Sequence, residues 1–351
     1  MNEMHELEED APPEPDPYTI IEQATREITL NPMDAKAYAD RADAYLQLGQ
    51  LERALANLNL ATAINPNDSI YLQKRGSTLR DLGDPSGAIR DFDRAIAIDP
   101  KYSYTYVERG LALYDMGRFR EALENYTQAI SIDPHDDFAY NNRANVYSVL
   151  GEWYRAFADY NTAMAINPEN VNIRYNRSRA FITNGYFTAA LDDLNYVLKY
   201  NNIDVDALEL RAEALIATGD DRAAVDDLNN ALALNPHNPI TWGKRGLARI
   251  RIGENDGGLD DLTNAIAIDP SAENYANRGS ASYQTGNYQK ALQDLNRALE
   301  IKPEFHQARL RRAKTNEKLG NAGAAMEDYQ AAARHGNGQA KRLLKTHNTA
   351  W

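Results

Sequence analysis

The chain has no cysteine among its 351 residues. That excludes disulfides, thiolate metal sites, a cysteine nucleophile and a lipid-modified N-terminal cysteine. Histidine is sparse: His5, His135, His237, His306, His335 and His347. None stands in an HExxH motif or any close metal-ligand spacing, so neither a metal nor a cofactor is expected. No apolar run approaches the ~20 residues needed to cross a bilayer, so no membrane association is expected. Residues 1–16 contain no apolar h-region, which argues against a secretory signal. The chain reads as a soluble, cytoplasmic protein.

Positive charge is also in deficit. The formal net charge is −13, which argues against general nucleic-acid binding. The imbalance is uneven. Residues 1–16 carry Glu3, Glu6, Glu8, Glu9, Asp10, Glu14 and Asp16 and no Lys or Arg. Residues 301–351 hold ten Lys and Arg against four Asp and Glu, which keeps a local form of nucleic-acid binding open.

What is present is repetition. Prolines stand at Pro32, Pro66, Pro100, Pro134 and Pro168, skip one beat at Asn202, and resume at Pro236 and Pro270. Glycines keep the same 34-residue interval from Gly49 to Gly253, then Gly286 and Gly320. Arginines do too: Arg41, Arg75, Arg109, Arg143, Arg177, Arg211, Arg245, Arg278 and Arg312. A repeat of this length is one supersecondary unit that buries its apolar face only by stacking on its neighbours. Function is then expected on an extended surface rather than in one catalytic pocket.

With Ala35 as the first position, each repeat splits into two helical stretches around its glycine. The glycine reads as a left-handed helix cap and the proline as the end of the second helix. Small residues recur at the eighth position (Ala42, Gly76, Gly110, Ala144) and the twentieth (Ala54, Ala88, Ala122, Ala156), where helices must approach closely. Large residues alternate with them: Tyr38, Tyr106, Tyr140 and Trp242 in first helices, Leu58, Phe92, Tyr126, Tyr160 and Leu295 in second helices.

This aromatic–small–small–Ala–proline pattern resembles the tetratricopeptide repeat (TPR) family over about residues 35–339. The resemblance implies an all-α fold, a right-handed superhelical solenoid of antiparallel helix pairs. It also implies that first helices line a concave groove gripping peptides or partner helices. One departure is systematic: the family commonly has leucine where this chain has its nine arginines. Sixteen residues after most of them stands an Asp (Asp91, Asp159, Asp193, Asp227, Asp261, Asp294, Asp328), and after the other two Asn57 and Asn125. This spacing predicts an Arg–Asp ladder joining the two helices of each repeat. Arginines left unpaired in such a row would instead suit phosphates.

The resemblance places groove-facing side chains at positions two, five, six, nine and twelve. The middle repeats are the expected contact site, since thirteen of 21 Tyr lie between residues 102 and 200. The candidates are Tyr104, Glu108, Leu111, Tyr114, Phe138, Asn141, Asn142, Asn145, Tyr175, Asn176 and Arg179. Asparagine can pair with an extended peptide backbone, and aromatics add flat apolar area at low entropic cost. Some relatives hold a terminal carboxylate with Lys, Asn and Arg over three repeats. Here Asp206 and Leu210 replace the expected cations, which speaks against that ligand for these repeats.

Residues 1–16 read as a disordered acidic tail and 17–34 as a capping helix. Nine repeats follow over 35–337, with a closing helix and tail over 338–351. The fifth repeat lacks its proline, and the eighth is one residue short between Pro270 and Tyr275. The stretch RHGNGQAK has glycines but no preceding strand, so a phosphate loop is not expected. Asn125-Tyr126-Thr127 and Asn176-Arg177-Ser178 match glycosylation sequons, but both fall inside helices. Nothing points to an enzyme. The leading expectation is a non-enzymatic scaffold binding a protein or peptide partner in its groove. The alternative is head-to-tail self-assembly into a homo-oligomer through the acidic and basic ends. A third reading folds the acidic tail back as an autoinhibitory plug.

Overall fold

A computed structural model describes residues 16–334, together with Gly338 and Arg342. The expected acidic tail and closing helix lie almost wholly outside the described residues. A leading helix, α1 (Pro17–Leu30), packs on the first of nine helix pairs. The first helices are α2 (Ala35–Gln47), α4 (Ser69–Asp81), α6 (Ser103–Asp115), α8 (Asp137–Val149), α10 (Val171–Thr183), α12 (Val205–Thr218), α14 (Pro239–Arg251), α16 (Ala272–Gln284) and α18 (His306–Lys318). The second helices are α3 (Leu51–Ile64), α5 (Pro85–Ile98), α7 (Phe119–Ile132), α9 (Trp153–Ile166), α11 (Phe187–Tyr200), α13 (Asp221–Leu234), α15 (Asn255–Ile268), α17 (Tyr288–Ile301) and α19 (Ala322–Arg334). They fall into two compact units, one ending at Asn170 and one beginning at Val171.

Local chemistry marks the helix ends. Asp34, Asp136 and Asp204 cap first helices by accepting from the backbone N–H three residues on, at 2.9–3.1 Å. At the other end Gly117 takes φ +70°, and Arg118 N–H reaches back to Leu113 O at 2.9 Å. This six-residue loop satisfies a carbonyl that the helix leaves open. All nine in-phase glycines have positive φ, as their spacing predicts. Turns between repeats are four residues long, except the three-residue turn 269–271. The residue missing from the eighth repeat was therefore taken from a turn, and α16 keeps the thirteen-residue length usual for first helices.

Within each pair the large residue of the second helix sits over the small residue of the first. A Cβ at Gly76 would lie 2.6 Å from the Phe92 ring, and one at Gly110 would lie 2.6 Å from the Tyr126 ring. Leu58, Phe92, Tyr126 and Tyr160 in the first unit are all at most 1 % exposed. So are Leu194, Leu228, Leu262, Leu295 and Tyr329 in the second. Each such burial stabilises by roughly 1.5–3 kcal/mol.

Inside each unit, first helices also touch the next first helix: α4 with α6 and α6 with α8, then α10 with α12, α14 with α16 and α16 with α18. Second helices do not approach one another to that extent among the described residues. The side lined by first helices is therefore the inner side of each unit.

Candidate functional site

The arginine at position seven sets how each first helix is turned. Arg75 Nε donates to Asp91 Oδ2 and Nη2 to Asp91 Oδ1, both at 2.6 Å. Six further pairs repeat the fork at 2.6–2.9 Å: Arg143–Asp159, Arg177–Asp193, Arg211–Asp227, Arg245–Asp261, Arg278–Asp294 and Arg312–Asp328. Arg41 and Arg109 donate through Nε to Asn57 and Asn125 at 2.8 and 2.7 Å. The acceptors are buried. The hydrogen bond to the carboxylate holds the guanidinium of Arg75, Arg143, Arg211, Arg278 and Arg312 above its usual pKa, against the opposing effect of burial. These arginines are structural and leave no row of phosphate sites.

The remaining guanidinium nitrogen does something the sequence reading missed. Arg109 Nη1 donates to Asp93 Oδ1 at 2.6 Å, and Arg143 Nη1 to Thr127 Oγ1 at 3.2 Å, in the second helix of the preceding repeat. In the second unit Arg211, Arg245 and Arg312 reach Asn195, Asn229 and Asn296 at 2.8–3.0 Å. Each of these five arginines thus ties its own helix pair and binds that pair to the one before. The signal was present: a polar residue stands sixteen residues before eight of the nine arginines, and fifteen before Arg278. Several guanidiniums also lie against the aromatic at position four, Arg245 at 4.6 Å from the Trp242 ring and Arg143 at 5.4 Å from Tyr140.

At 3.6 residues per turn, position seven points about 160° away from positions five and nine. The ladder therefore turns positions two, five, six and nine to the inner side. Positions two and nine lie at the middle of that face, while five and six lie on its flanks. The flanks are where neighbouring first helices pack, and this decides which candidates stay open.

In the first unit Tyr104 and Phe138, both at position two, are 41 % and 43 % exposed. Ile70 at the same position of α4 is 38 % exposed and extends the row; the sequence reading had not included it. Leu111, Tyr114 and Asn145 are half-buried. Asn145 Oδ1 accepts from the Tyr160 hydroxyl at 2.6 Å. Glu108, Asn141 and Asn142 occupy the flanks and are buried. Glu108 Oε2 accepts from Ser77 Oγ at 2.8 Å and Arg80 Nη1 at 3.0 Å. Asn142 Nδ2 donates to Phe138 O at 2.8 Å. These three side chains lie below the exposed row.

Burial, aided by the Glu108 charge, pushes the Tyr104 phenol up to about 12. In the second unit Tyr175 and Asn176 are half-buried and Arg179 is exposed. Burial and the Asp206 charge raise the Tyr175 phenol above its ordinary value. Among the described residues no group of three His, Asp or Glu could hold a metal, and no helix is long and apolar enough to cross a membrane.

Family models described as TPR repeat match residues 76–117 and 110–151. Models described as tetratricopeptide repeat match residues 35–68, 175–239 and 272–305. Protein SGT1 homolog from Oryza sativa subsp. japonica is 41% identical over 62 residues, 18% of this chain and only 15% of that protein. A tetratricopeptide repeat protein from Parabacteroides merdae ATCC 43184 superposes with a TM-score of 0.51 at 23% identity, covering 70% of this chain and 98% of the other. A chain of the APC/C hetero-tetramer Cut9–Hcn1 superposes with a TM-score of 0.54 at 16% identity, covering 84% of this chain and 58% of that one. Both structural likenesses concern the fold. With its ladder of helix pairs and these repeat matches, the chain belongs to the tetratricopeptide repeat family.

Proposed function

We propose that this protein is a non-enzymatic protein–protein interaction scaffold, and that the inner face of its first unit holds an apolar stretch of a partner peptide. The observation that carries this is the row Ile70, Tyr104 and Phe138 on three successive first helices, each more than a third exposed. Below the row, Ser77, Leu111 and Asn145 stand at position nine of the same three helices, half-buried. The Glu108–Arg80–Ser77 cluster satisfies the charges of the floor, so an apolar side chain entering there strands no ion. Asn145 still has amide hydrogens to offer, since only its Oδ1 is engaged among the described residues. Affinity would rest on the aromatic anchors, with Asn145 meeting a peptide carbonyl.

A random peptide library selected against the full-length chain tests this. Selected peptides should bind Tyr104→Ala/Phe138→Ala at least tenfold more weakly, with the thermal melt of the variant unchanged. Peptides that bind both proteins equally place the contact elsewhere and remove this reading.

A further inference from the structure

The groove cations of this protein are mostly engaged by its own carboxylates. Lys74 pairs with Asp43 at 2.5 Å, Arg80 with Glu108 at 3.0 Å and Lys244 with Glu213 at 2.7 Å. The exception of interest lies on α16 and α18. A cavity of about 250 Å³ opens there, lined by Asn277, Ser280, Phe305, Leu310, Arg311 and Lys314 among others. Arg311 and Lys314 make no ion pair among the described residues; Arg311 only lies 5.6 Å from the Tyr283 ring. The side chains of Asn277 and Ser280 likewise make no hydrogen bond there. The cavity thus gathers two cations and two small polar groups at one side and an apolar wall at the other. Its size suits one or two side chains.

We infer that this cavity receives the acidic segment 1–16 of a second copy of the chain, in a head-to-tail contact. The segment carries seven carboxylates and no Lys or Arg, with Met4 and Leu7 set among Glu3, Glu6, Glu8 and Glu9. Its carboxylates match Arg311 and Lys314, and its apolar side chains match Phe305 and Leu310. A phosphate backbone is the poorer fit, because it carries no apolar side chain to set against Phe305 and Leu310. The occupant is assigned to another molecule; the chain's own segment in the cavity would leave the wild type monomeric. Such a heterologous contact builds rings or open chains.

Sedimentation velocity of the full-length chain tests this with two variants. One is Glu3→Gln/Glu6→Gln/Glu8→Gln/Glu9→Gln/Asp10→Asn and the other is Arg311→Gln/Lys314→Gln. The wild type should associate at about 0.05 M salt and dissociate at about 0.5 M, where screening shortens the reach of charge to a few Å. Each variant alone should stay monomeric with an unchanged melt. An equal mixture should stop at the heterodimer, one partner supplying only the segment and the other only the cavity. A peptide of residues 1–16 should bind the cavity variant at least tenfold more weakly than the acid-neutralised one. A wild type that is monomeric at every concentration and salt, a variant that still associates, or a mixture that stays monomeric overturns the inference. Loss of this contact would leave peptide binding to the first unit intact, so the two proposals fail separately.

Discussion

Arg177 and Asp193 are joined by two parallel hydrogen bonds, Nε to Oδ2 at 2.8 Å and Nη2 to Oδ1 at 2.7 Å, with the carboxylate wholly buried. Removing Asp193 takes the buried carboxylate away from both Arg177 and Arg174, whose Nη1 lies 3.5 Å from Oδ1. Asp193→Ala is therefore expected to cost ~3–5 kcal/mol. Asp193→Asn keeps an acceptor, as Asn57 and Asn125 do in repeats one and three, and should cost only roughly 1–2 kcal/mol. Urea unfolding measures both, with the slope monitored because repeat arrays can lose two-state behaviour. Equal losses for Ala and Asn would refute the ladder as the source of stability.

The link between repeats is a separate quantity. Arg245 Nη1 donates to Asn229 Oδ1 at 2.8 Å across the repeat boundary. Asn229→Ala should cost about 1 kcal/mol, and a double-mutant cycle with Arg245→Lys should show coupling of similar size. Lysine keeps the charge but cannot fork to two helices. Strict additivity would mean that the bond joins nothing.

Two glycines at the same position of their helices should respond differently to a methyl group. At Gly110 an added Cβ meets the Tyr126 ring, a side chain that can yield by small rotations. At Gly246 it meets the backbone carbonyl of Gly258 at 2.8 Å, so a helix must move. Gly246→Ala should lose about 2–3 kcal/mol and Gly110→Ala about 1–2 kcal/mol, within the range of overpacked cores. Thermal and urea midpoints decide the order, and the reverse order would show that the Tyr126 ring is the stiffer neighbour.

The Tyr104 phenol supplies a pH test. Its folded pKa of about 12 lies above the ordinary 10, so the neutral form is favoured in the folded state. Its contribution to stability is complete below pH ~10 and is lost as the pH rises towards 12. Selectively labelled tyrosine, with Tyr104→Phe to assign the signal, should titrate near 12. In Glu108→Gln the value should fall only part of the way to 10, because burial is the larger cause. A return all the way to 10 would make the carboxylate the main cause.

The inner face shows where reading residues one by one reaches its limit. Glu108, Asn141 and Asn142 have the chemistry of ligand-binding residues and stand at positions the family pattern marks. For Glu108 and Asn142, at position six, the packing that buries them is that of α4 on α6 and of α6 on α8. Ile70 was not among the candidates because it stands in the second repeat, before the tyrosine-rich middle repeats expected to form the contact site. Its exposure follows from standing at the middle of the face rather than on a flank.

The 34-residue beat alone determined the helix pairs, the caps at the nine glycines, the small-against-large packing and the arginine–carboxylate ladder. Those features are local or separated by a constant sixteen residues, so periodicity carries them. Tertiary structure decided the rest: which flank of a first helix its neighbour covers, that arginines such as Arg109 and Arg245 also grip the preceding repeat, and that among the described residues Arg311 and Lys314 lack the carboxylate partner found by Lys74, Arg80 and Lys244. These depend on distances between helices of different repeats, and a charge is free or paired only according to what packing brings within reach of it.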